Sequence, residues 1–170
     1  MKRQNVLIVT GVLSAAYMIW MVLGGASVNT LLVEAAFLGV MLAAMAEKPQ
    51  LSLICAGVNF LLEVYWLLTM LPMVVSYGFD ASLILSVATG SLPMLLISGL
   101  WVYDQVQGRP VSATVFYIAI AAAVFFFMRQ IVLMAGAGFR LGLLNSLVSI
   151  VRSVLPYAAY AIGACYNRKN

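Results

Sequence analysis

Apolar residues run along this chain in long, nearly unbroken stretches, and the polar positions gather in short breaks between them. The stretches 5–24, 29–46, 51–75, 82–103, 112–136 and 141–164 each approach the roughly 20 residues that a helix needs to cross a hydrocarbon core about 30 Å thick. The breaks hold turn formers: Gly24 and Gly25, Lys48-Pro49, Gly78 with Asp80, Gly108-Arg109-Pro110, and Gly136 to Gly138. Connections this short predict that consecutive helices are antiparallel neighbours. Strands of a β-barrel would alternate apolar and polar positions, whereas residues 119–127 are apolar throughout. The pattern therefore predicts an all-α, polytopic transmembrane helical bundle, with six helices and short loops forming one integral membrane domain over residues 1–170.

Composition agrees with that pattern, since 65% of the residues are hydrophobic and 8% charged, against roughly 25% charged in soluble domains. The lipid bilayer is thus the first expected partner. The formal charge of +4 does not predict nucleic-acid binding, because the basic residues stand singly at segment ends instead of forming a stripe. Their placement reports topology. With the N-terminus inside, Lys2, Arg3, Lys48, Arg109, Arg168 and Lys169 are cytoplasmic and only Arg140 is outside, so both termini are expected in the cytoplasm. A multi-pass protein of the bacterial inner membrane is the expected location. Trp20 and Tyr77 near the outer face, and Trp101, Tyr103, Tyr117 and Tyr166 near the inner face, are expected to form aromatic belts. Residues 1–26 also have features of a signal peptide, but the apolar stretch is long for one, and a retained first helix is the preferred reading.

The residue types present narrow the chemistry. With no histidine, His-ligated haem or zinc and a Ser-His-Asp triad are excluded. Cys55 and Cys165 are far apart and read as small apolar side chains, so no metal or other cofactor is expected. Asp80 and Asp104 fall at opposite ends of a span and cannot form a protease dyad. Lys2, Lys48 and Lys169 lie at the membrane edge, out of reach of a midplane serine. An enzyme is not expected.

Polar and small residues at helical spacing mark faces turned into a bundle. The third span carries Ser52, Ala56, Asn59 and Glu63, and the sixth carries Asn145, Ser149, Arg152, Pro156, Ala159 and Gly163. These faces are expected to meet or to line one cavity. Tyr17 has the option of turning its hydroxyl inward from the first span. Gln130 is expected to bond a neighbouring helix or to join the outer charges. Glu34, Glu63, Arg129 and Arg152 lie within spans, where each unpaired charge costs a few kcal/mol. Depth along the spans places Glu63 and Arg152 near the midplane, and Glu34 and Arg129 in the outer third. Two acid–base pairs are therefore expected, Glu63 with Arg152 and Glu34 with Arg129.

A midplane pair beside Asn59, Asn145 and Ser149 suits a small polar or anionic solute. The expected function is accordingly a small-solute carrier or membrane-embedded substrate-binding subunit, whose substrate residues are Glu63, Arg152, Asn59, Asn145 and Ser149. Proton coupling at Glu63 is a further option. In size and six-helix layout, but in no motif, the chain resembles the substrate-binding subunits of energy-coupling-factor transporters. The alternative is a non-catalytic subunit of a secretion, conjugation or envelope-assembly complex, or a toxin-immunity protein, acting through helix contacts with a membrane partner or a second copy of itself.

Overall fold

The computed structural model describes the backbone of residues 3–76, 81–136 and 143–167, with the side chains at 81–88, 90 and 143–146 among those outside the described set. Among the described residues the chain is all helical: α1 (Arg3–Leu23), α2 (Val28–Met45), α3 (Pro49–Ser76), α4 (Ala81–Val106), α5 (Ala113–Gly136) and α6 (Leu143–Asn167). Five of them contain windows long and apolar enough to cross a membrane, and α4 matches them in length. The helices suit a bilayer, the one solvent in which such broadly apolar surfaces are stable.

The turns explain the boundaries. Helices α1, α2 and α4 end in the same arrangement, in which the amides of Ala26, Lys48 and Arg109 reach back to the carbonyls of Met21, Ala43 and Asp104. This closure needs a left-handed residue just before the reaching amide. Gly25 (φ 74) and Gly108 (φ 67) supply it without strain, whereas after α2 the position is held by Glu47 (φ 56). Ser27 then caps α2, its hydroxyl accepting the Thr30 amide at 3.2 Å. At the opposite end, Asp104 accepts the Ser112 amide at 2.8 Å and Asn167 accepts the Val111 amide at 3.0 Å, tying the α4–α5 turn to α6.

The main packing contacts join α2 to α3, α3 to α4, α4 to α5, α5 to α6, and α6 back to α2. Five helices thus close a ring, and α1 lies outside it against α2. This makes α2 the most enclosed helix, with Phe37, Val40, Met41 and Ala44 in the core. Small residues allow the close approaches: Gly39 faces Cys55 of α3, and Gly163 of α6 faces Trp101 and the Met41 backbone. Trp101, expected in an interfacial belt, is instead fully buried, packed edge-on against Tyr160 at 5.5 Å. Gly163 leaves the space that takes its indole inside. Tyr103 and Tyr117 are exposed, as belt residues should be.

Candidate functional site

All four intramembrane charges take up relationships different from those expected. Glu34, deep in α2 and 5% exposed, accepts the Tyr17 hydroxyl at 3.0 Å and lies 3.8 Å from Arg152 Nε. The acid facing Arg152 is therefore Glu34, and neither expected pair forms. The reason is the helix order, because α2 stands between α3 and α6 and presents its own carboxylate to α6. Depth permits it. At 1.5 Å per residue, Glu34 lies about 9 Å into α2 and Arg152 about 14 Å into α6 from the same end, a difference an arginine side chain spans. Arg129 lies exposed on α5, outside the Glu34 cluster.

The remaining expected site residues also separate. Asn59 is fully buried and donates its amide to the Tyr160 hydroxyl at 3.0 Å, linking α3 to α6 inside the ring. Its Oδ1 and the Trp101 indole Nε1 are buried without a hydrogen-bond partner. Ser149 is exposed and donates to Gln130 at 3.4 Å, while Gln130 donates to Ser153 at 2.7 Å. That bond settles the Gln130 alternatives in favour of the α5–α6 seam. The side chain of Asn145 lies outside the described residues, as does Arg140.

Glu63 forms an ion pair with none of these among the described residues. It lines a cavity of about 350 Å³ with Asn29 and Val33 of α2, Leu62, Tyr65 and Trp66 of α3, and Ser91 of α4. Ser91 is buried and lines this cavity together with Glu63. No arginine or lysine among the described residues pairs with Glu63. At the Lys48 end, a larger cavity of about 600 Å³ lies among the turns and carries both signs of charge, with Glu47, Lys48 and Arg109 on its walls. It belongs to the helix ends, where charged side chains are ordinary. A carboxylate inside the apolar span without a basic partner is not ordinary, and it marks the Glu63 cavity as the candidate site.

The sequence had signals for some of these neighbours. Trp66 follows Glu63 by one helical turn and so shares its face, and Asn29 is a polar residue opening an apolar span. Nothing in the spacing of the fourth span singled out Ser91. Comparison with protein-family models, curated proteins and solved structures gave no match to this chain.

Proposed function

We propose that this protein is a small-solute carrier, or the membrane-embedded substrate-binding subunit of one, and that the solute site is the Glu63 cavity. One observation carries the reading: a membrane-embedded carboxylate lines a cavity of about 350 Å³ while the nearest expected counter-ion, Arg152, is engaged with Glu34. Pockets that hold small ligands start at about 300 Å³ and combine apolar walls with a few polar groups. Here Val33, Leu62 and Trp66 provide the walls, and Glu63, Ser91 and Asn29 the polar groups. The six apolar helices and their basic-residue bias support a place in the bacterial inner membrane.

The test is thermal unfolding of the purified full chain in mild detergent against a panel of cationic, anionic and neutral polar solutes. The expected result is a raised midpoint with at least one class, absent in Glu63→Gln. A panel without effect, together with a stoichiometric membrane protein that co-purifies from native membranes, would replace the carrier by the accessory-subunit reading.

A further inference from the structure

Resting on that reading, we infer that the solute is a small organic cation, of the alkylated ammonium class. No basic side chain lines the cavity among the described residues, so Glu63 is its one charged group. An anion would meet a carboxylate there, whereas a cation compensates its charge in a low-dielectric setting. Ser91 beside Glu63 carries no charge, so the carboxylate is left for a positive group. The aromatic residues decide between kinds of cation. Trp66 and Tyr65 line the same cavity, and ring faces attract soft, weakly hydrated cations such as alkylated ammonium groups. Hard metal ions take several oxygen ligands, and the described residues contain no cluster of three carboxylate or thiol side chains. Tyr65 and Trp66 are 63% and 37% exposed, so their rings are accessible beside the carboxylate.

The experiment is equilibrium binding to the full chain in lipid nanodiscs. The probes are tetramethylammonium, benzyltrimethylammonium and choline, with the neutral carbon isostere of choline, 3,3-dimethylbutan-1-ol, and the corresponding anion, 3,3-dimethylbutanoate. At least one cation is expected to bind about tenfold or more tighter than the alcohol, a margin that Glu63→Gln removes. Should Glu63→Gln fail to fold, Trp66→Leu is expected to lower cation affinity several-fold while Trp66→Phe retains most of it. If the alcohol or the carboxylate binds as tightly as the cations and depends on the same residues, the cation assignment falls and the solute site stands. The assignment also falls, with the site retained, if only neutral or anionic members of the wider panel bind. If nothing in either set binds, both fall.

Discussion

Glu34 is the residue at which α1, α2 and α6 meet, and its environment sets what each contact is worth. The Tyr17 hydroxyl and the Arg152 guanidinium are its two partners. A hydrogen bond to a charged group contributes about 1.5–3 kcal/mol in soluble proteins. Bonds between membrane helices average about 0.6 kcal/mol, because the unfolded chain also finds partners in lipid. Tyr17→Phe is therefore expected to destabilise by about 1 kcal/mol, measured by reversible unfolding in mixed micelles. Arg152→Leu is expected to destabilise by about 2 kcal/mol, since it leaves an almost fully buried carboxylate with only a hydroxyl. The figure falls below that of a fully buried pair because the Arg152 side chain is 51% exposed. Combining Arg152→Leu with Glu34→Leu should cost less than the sum of the single changes. Additive losses would show that the 3.8 Å contact carries no coupling. The presence of these charges within the spans was legible in the sequence, and the inward Tyr17 was one of its options, but the partners were not. Depth follows from counting residues along a span, whereas pairing depends on which helix stands between two others. Nothing in one sequence told that α2 packs against α6 and presents Glu34 to it.

At the scale of the helix, boundaries were readable to within a few residues because the physics is local. Turn residues stop a helix, and a bilayer fixes its length. Two terminations used glycine as expected, and the third did not. Glu47 occupies a left-handed position that suits glycine, a conformation that costs a non-glycine residue on the order of 1 kcal/mol. Glu47→Gly is accordingly expected to raise the melting temperature. An unchanged or lower value would mean that the interactions of the Glu47 side chain outweigh the backbone strain. Interior glycines separate by what surrounds them. A methyl group at Gly163 would sit 3.0 Å from the fully buried Trp101 ring and 3.4 Å from the Met41 backbone, with little freedom to move either. Gly163→Ala should destabilise by about 1–3 kcal/mol. Gly11 in α1 has nothing within 4 Å, and Gly11→Ala should be neutral or stabilising by up to about 1 kcal/mol. If the two substitutions behave alike in the same unfolding assay, the close α2–α4–α6 packing is not what holds the ring together.

For the molecule as a whole, the direction in which the bundle crosses the membrane follows from charge, not from packing. The helix contacts are identical whichever end faces the cytoplasm, so they cannot choose between orientations. Basic residues in short loops do choose, because segments rich in Lys and Arg are retained on the cytoplasmic side. The α2–α3 and α4–α5 turns carry Lys48 and Arg109, while the α1–α2 turn between them and α1 has no charge at all. Six consecutive antiparallel spans then return the chain to the side on which it started. The prediction is made in a Cys55→Ala/Cys165→Ala background, with single cysteines introduced at Ser27, Lys48 or Arg109 and a membrane-impermeant maleimide added to intact bacterial cells. Ser27→Cys should label directly, whereas Lys48→Cys and Arg109→Cys should label only after permeabilisation. The replaced residue is itself a topological signal in two of these variants, so each keeps the other basic turn intact as an internal control. The inverse pattern would overturn the orientation while leaving the helix ring untouched. Labelling of all three positions in intact cells would mean that two orientations coexist and that the loop charges are too few to decide.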